Sequence, residues 1–283
     1  MVRKHTRRAA KAAFAVSLGV ALLIGLAVQV AIAQKNATTS KPKIVIGTKN
    51  FAEEFILGQL YGQALAAKGF NVSYKNNIGS SEVIDTAFKS HKINFYPEYT
   101  GVIVLDLAKA KTPPKTAAAT YQAAKTFEQQ KRNATLLKPT PFYDSDTFTM
   151  LTKTAHKLGV KTIYHLTHIK FVPLGTISVY TLLDQHKVTA GDGFSTDPAQ
   201  LQHNKYTALT DTKHIFGFQN VAPVLSKALL KGSAGALLAK TSNAVSAKLS
   251  LAAMQAMNKA YYVNKQTAKQ IAQTFLKANG LLK

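Results

Sequence analysis

The chain of 283 residues contains no cysteine and no tryptophan. Without a thiol there is no disulfide framework, no zinc–thiolate centre, no thiol nucleophile and no cysteine-linked lipid anchor. Acidic residues are scarce: 13 Asp and Glu stand against 36 Lys and Arg, a formal net charge of +23. Such a balance suits an anionic partner. Yet the lysines after residue 40 are scattered, with no compact run and no interleaved aromatics. The pattern predicts a diffuse basic coat and no specific nucleic-acid site. The eight histidines show no metal-ligand spacing, and no Gly-x-Ser-x-Gly turn or phosphate loop occurs. Asp144, Asp146, Asp192 and Asp197 could supply an acid–base pair. Each stands in a turn-like context, where Asp caps backbone. The chain therefore reads as a non-enzyme without metal or cofactor.

What is present starts with the N-terminus. Residues 1–11 carry Arg3, Lys4, Arg7, Arg8 and Lys11, residues 12–34 carry no charge, and the run ends Ala31-Ile32-Ala33-Gln34. A basic start, an apolar middle and a small-x-small site describe a secretory signal, with cleavage expected after Ala33. The length of the apolar run also suits a retained membrane anchor. Either places the rest of the chain outside the cytoplasm. Residues 34–42 are polar and read as a linker.

From Lys43 onward the pattern alternates strand and helix. KIVIG is a strand, about 52–68 a helix closed by Gly69, and 71–76 a second strand; a helix to about Ser90 follows, then a strand from Ile93. This β-α-β-α-β order predicts a mostly parallel sheet with helices on its faces. The stretch Ile93–Gly101, INFYPEYTG, organises the rest. Pro97 cannot donate to a ladder, so the strand is expected to end near it. That leaves Tyr99 at a strand's carboxyl end, where open α/β sheets bind ligands. Pro113-Pro114 breaks the chain, and the C-terminal third is helical. We assign a first lobe to residues 43–145 and 215–283 and a second, smaller lobe to 146–214. Aromatics at turn positions (Tyr99, Phe148, Phe194 and Phe218) flank both suspected crossings, where a cleft would lie.

Seven stretches carry a resemblance: KIVIGTKNFAEEFILGQLYGQALAAKGFNV, NIGSSEVIDTAFKS, INFYPEYTGV, LLKPTPFYDSDTFTML, GFSTDPAQL, FGFQNVAPVLSKALL and NAVSAKLS…MQAMNK. Over nearly all of residues 42–283, and in the same order, the chain resembles substrate-binding proteins of ABC transporters for glycine betaine, carnitine and choline. The resemblance implies an α/β, two-lobed type II periplasmic-binding-protein fold with two interlobe crossings. It implies capture of a quaternary ammonium ligand in an aromatic cage, delivery to an ABC permease, and action as a monomer. A quaternary ammonium has no N–H to donate, so ring faces hold it by cation–π attraction. By motif, Tyr99 matches a cage tyrosine, and Phe148, Phe194 and Phe218 stand where the others are expected. Lys49 stands where betaine binders hold the carboxylate. The chain departs in three ways: three of the four cage positions are Phe, Val102 replaces a Thr, and the second lobe is short. His168-Ile169-Lys170 joins Phe171-Val172-Pro173-Leu174 directly, without the family's Arg-x-Asp-Gly segment. Two alternatives stay open: a receptor of the same fold for another small cationic or amino-acid-like solute, or a degenerate membrane-anchored sensor or interaction domain.

Overall fold

The computed structural model describes residues 41–173 and 178–283. The signal or anchor of residues 1–33 lies outside them, as do most of the linker and part of the apolar stretch at 171–175. Lys41–Lys283 forms a compact unit of its own. Among the described residues no helix is long and apolar enough to cross a membrane.

The first lobe carries a five-stranded sheet: β1 (Ile44–Gly47), β2 (Val72–Lys75), β3 (Phe95–Tyr99), β4 (Ala134–Leu136) and β8 (Val221–Ser226), in the order β2-β1-β3-β8-β4. β1 runs parallel to β2 and β3, whereas β8 is antiparallel to both its neighbours. Helices cover both faces, as a largely parallel sheet requires. On one face α1 (Ala52–Ala67), α6 (Gly232–Ser246), α7 (Leu251–Tyr262) and α8 (Ala268–Ala278) pack over Ile44, Ile46, Phe95 and Leu225. On the other, α2 (Ser81–Lys89) and α3 (Ala117–Lys131) cover Ile93, Tyr96, Leu136 and Val224. The alternation of Phe95 and Tyr96 between the two cores is the period-two signature of a strand buried on both sides.

Pro97 does not end β3 as expected. It lies at the centre of that strand, directly opposite Pro223 of β8. Two residues without N–H groups face each other only at a non-hydrogen-bonded pair, where N–H groups point outward to the next strands. On the outer sides, β1 pairs with β3 only at Ile46–Phe95, while beyond the Leu136–Val224 pair that ends β4 the Leu137 amide still donates to the Pro223 carbonyl at 2.9 Å. Pro97 thus removes no ladder bond and Pro223 only the return bond to Leu137, so the strand runs on to Tyr99.

The second lobe is built on three antiparallel strands in the order β6-β5-β7: β5 (Asp146–Leu151), β6 (Ala190–Phe194) and β7 (Tyr206–Ala208). Short helices α4 (Thr152–Leu158) and α5 (Val179–Asp184) lie against it, and its core is small: Met150, Ala155, Ile163 and Leu209, with a satellite of Val179, Leu183 and Tyr206. The second sheet has three strands against five in the first. The chain passes between the sheets twice, and the passages run side by side. Tyr143 and Asn220 form an antiparallel bridge, and the Asn220 amide donates to the carbonyls of Thr140 and Phe142, both at 3.1 Å.

Candidate functional site

A cleft of about 430 Å3 opens at the carboxyl ends of β1 and β3, between the lobes. Lys49, Phe51, Glu53 and Tyr99 line it from the first lobe, joined by Asn258 and Tyr262 of α7. The second lobe contributes Asp146, Phe194, Thr196 and Asp197, and the two passages contribute Asp144 and Gln219. Gln219 reaches the cleft because residue 101 is glycine. Its Oε1 accepts from the Val102 amide at 3.0 Å, and a Cβ at Gly101 would collide with the Gln219 side chain. Directly after Tyr99 the chain winds into a single turn, Thr100–Val102, then a π-helix, Ile103–Leu107, a geometry frequent beside functional sites.

Four aromatic rings border the space. Phe51 and Tyr99 stack at 6.3 Å between centroids and 29° between planes. Phe194 and Tyr262 are half exposed, at 48% and 49%, and so present free faces. Two of the four sequence-predicted cage aromatics are therefore here, Tyr99 and Phe194. The structure places the other two elsewhere. β5 runs away from the cleft, and Phe148, two residues beyond Asp146, packs in the second-lobe core against Phe216 at 5.9 Å. Phe218 stacks on His214 at 4.8 Å in a separate hollow, and it is the next residue, Gln219, that turns into the cleft. Phe51 and Tyr262 take part in their stead. Phe51 sat in the quoted stretch TKNFAEEF, two residues past Lys49. Tyr262 ends a helix more than 160 residues from Tyr99, and no local pattern marks it.

Lys49 is in the cleft wall, but its charge is already used. Its ammonium is bonded to Glu98, lies 3.8 Å from Glu54 and 3.3 Å from the Ser81 hydroxyl, and sits 4.2 Å from the centroid of the Tyr99 ring and 5.5 Å from that of Phe51. Both partners are buried, with side-chain exposures of 5% for Lys49 and 0% for Glu98. Burial alone would pull this ammonium down; the charges of Glu98 and Glu54 outweigh it and hold the lysine above its ordinary value.

Around this pair the cleft is acidic. Of the chain's 13 acidic residues, Glu53, Asp144, Asp146 and Asp197 line it, with Glu54 and Glu98 behind Lys49. Glu53 and Glu54 occupy the first turn of α1, where the helix dipole favours carboxylates. Glu53 accepts from the Tyr99 hydroxyl at 2.8 Å and the Asn258 amide at 2.9 Å, joining β3 to α7. Asp144 accepts from the Thr196 hydroxyl at 2.7 Å; Asp197 accepts from the Tyr180 hydroxyl and the Phe194 amide, both at 2.8 Å. Desolvation raises Glu53 and Asp197, and raises Asp144 with Glu53 adding repulsion; Glu54, deepest of all, is pushed up to about 8. Carboxyl groups held above their ordinary range in a partly dry cleft gain most from a cation placed among them. Among the described lining residues, Lys49 is the only one with a cationic side chain.

Two α/β lobes, two side-by-side passages and a cleft over the carboxyl ends of the first sheet define a type II periplasmic-binding-protein fold. The chain belongs to the family of substrate-binding domains of ABC-type glycine betaine transport systems, whose profile matches residues 42–176 and 170–278. It is a transport binding protein and not an enzyme. It is 27% identical over 281 residues to a glycine-betaine-binding protein of Pseudomonas aeruginosa, covering 84% of this chain and 88% of that one. The crystal structure of a glycine betaine/carnitine/choline ABC transporter protein superimposes with a TM-score of 0.75 at 20% identity, covering 85% of this chain and 100% of the other. Lactococcal OpuAC, closed over glycine betaine, gives a TM-score of 0.59 at 17% identity and covers 84% and 96%.

Proposed function

We propose that this protein captures a quaternary-amine solute without an acid group, choline-like in its charge, outside the cytoplasm, and delivers it as a single chain to an ABC permease. One observation carries the reading. The cleft combines four aromatic rings with four carboxylates, while its one cation is consumed by Glu98. A trimethylammonium head gains roughly 0.5–2 kcal/mol from each desolvated ring face. It gains further from the carboxyl groups that line the cleft. A ligand carboxylate would meet Glu53, Asp144, Asp146 and Asp197 with no uncommitted cation to receive it.

A second reading has its own support. Carboxylates accept hydrogen bonds, and a quaternary ammonium donates none. Asp146, half-buried and lining both the cleft and the neighbouring hollow, therefore also suits a small cation bearing N–H groups. A thermal-shift screen of choline, glycine betaine, carnitine, proline betaine and ectoine, with a primary amine of choline's size added, separates the two. A ligand at 100 times its Kd adds about 2.7 kcal/mol of stability. The proposal expects the largest shift from choline, and a shift from the primary amine alone would replace it by the second reading. Export is checked by N-terminal sequencing of secreted protein, where the expected first residue is Gln34.

A further inference from the structure

Most side-chain donors in the cleft wall are already committed inside the protein. The Lys49 ammonium is held by Glu98 and lies 3.3 Å from the Ser81 hydroxyl. The Tyr99 hydroxyl donates to Glu53 and the Thr196 hydroxyl to Asp144. Both N–H groups of the Asn258 amide are occupied, by Glu53 at 2.9 Å and by the Thr196 carbonyl at 3.1 Å. Among the described lining residues, only the Gln219 amide and the Tyr262 hydroxyl donate to no protein acceptor. Gln219 is held from several sides. Its carbonyl accepts from the Asp144 amide at 3.1 Å. The flanking carbonyls of Phe218 and Asn220 accept from the Thr100 hydroxyl at 3.0 Å and the Thr100 amide at 2.9 Å. The side chain is tied as well. The Val102 amide is one of the first N–H groups of the turn after β3, and such groups have no partner within their own helix. Gln219 Oε1 takes it at 3.0 Å. The side-chain amide cannot be turned over, because its NH2 would then face another N–H. Nε2, with two N–H groups, is therefore the uncommitted end of a half-buried residue of the cleft wall.

We infer that Gln219 is a specificity residue that donates from Nε2 to an uncharged oxygen of the ligand, a hydroxyl, ether or ester oxygen carried close to the quaternary nitrogen. This role rests on the quaternary-amine capture proposed above and narrows it. Ring faces hold the cationic head and do not tell an oxygen from a methylene in the tail. A fixed N–H donor does, because a hydrocarbon tail leaves it unpaired. One neutral donor is enough for an oxygen without charge. A ligand carboxylate among Glu53, Asp144, Asp146 and Asp197 would still need a cation to offset its burial.

Isothermal titration of the processed chain with two matched pairs tests it: choline against n-propyltrimethylammonium, and choline methyl ether against n-butyltrimethylammonium. Within each pair one oxygen replaces one carbon. The wild type should favour the oxygen member of each pair by about threefold to tenfold, the effect of one neutral hydrogen bond. Gln219→Leu should bring both ratios to one or below. Gln219→Glu keeps an oxygen for the Val102 amide but loses the donor, so it should abolish the preference for the ether, whose oxygen only accepts. A ratio within a pair cancels any general change in the cleft, so a merely structural role for Gln219 would leave it unmoved. Equal binding of both members of each pair by the wild type would overturn the assignment and leave the capture of a quaternary amine standing. A preference that survives both Gln219 variants would do the same, as would one lost in Tyr262→Phe, which would make the Tyr262 hydroxyl the donor. No binding of any of the four compounds would overturn the proposed function, and the role of Gln219 with it.

Discussion

Lys49 is the residue on which two accounts of the cleft part. As a ligand group it would receive a carboxylate; as the structure has it, it neutralises Glu98. Removing the ammonium leaves Glu98 with 0% side-chain exposure, its Oε2 without a partner and its Oε1 bonded to the Tyr99 amide at 2.8 Å. At an effective dielectric of about 20 a pair at close range is worth about 4 kcal/mol, and breaking one partner of a buried pair costs about 3–5 kcal/mol. Lys49→Met, which keeps the side-chain volume, should therefore lower unfolding stability by about that amount in urea titration. Adding Glu98→Gln removes the orphaned charge and should restore half of the loss or more, giving a coupling energy of about 2 kcal/mol by double-mutant cycle. Choline affinity of the folded Lys49→Met protein should change little. If Lys49→Met costs under about 1 kcal/mol of stability and instead abolishes betaine binding alone, Lys49 is a carboxylate partner and the reasoning here is refuted.

Glu128, on the buried face of α3, is fully buried, neither of its oxygens has a partner, and burial with Asp85 nearby pushes it up to about 8. Because the folded value lies above the ordinary 4.5, its neutral form stabilises the fold at low pH, and that contribution is lost as pH rises from about 4.5 through 8. Wild-type stability should fall over that window, by up to about 4 kcal/mol from this group, and Glu128→Gln should remove that part of the slope in denaturant titrations at pH 5 and pH 9. In the cleft, Glu53, Asp144 and Asp197 are raised in the same way. A cationic ligand should therefore bind more weakly as pH falls through those raised values, with proton release on binding that calorimetry in buffers of different ionisation enthalpy would detect; affinity independent of pH would exclude them from the site. Phe51→Ala, Phe194→Ala and Tyr262→Ala should each weaken a bound trimethylammonium by about 0.5–2 kcal/mol, whereas Phe218→Ala should leave the affinity unchanged.

Much of the first lobe was legible because its signals are local. The alternation of KIVIG, a capped helix and a second strand states a parallel α/β unit, and EYTG placed Tyr99 at a strand's end. The Pro97 boundary was not legible, because whether a proline breaks a ladder depends on its neighbour in space, and that neighbour is another proline 126 residues on. Of the four aromatics singled out by their turn contexts, Tyr99 and Phe194 line the cleft. Phe148 was misplaced by two residues along a strand: position 146 faces the cleft, and position 148 already lies in a core. The acids of the cleft carried ambiguous signals. Glu53 and Glu54 read as dipole partners of α1, and Asp144, Asp146 and Asp197 as turn caps, roles that three of the five also fill. What the sequence could not display is convergence. Six acids from five segments meet at one end of the sheet.

The central claim is that the cleft selects a cation by ring faces and carboxylates, with no cation left for a ligand's acid group. Isothermal titration of the processed protein with choline and with glycine betaine, in one buffer near neutral pH, tests it directly. Choline binding as tightly as glycine betaine or more so, and lost on Tyr99→Ala, is the expected result. Glycine betaine binding far more tightly than choline would contradict it.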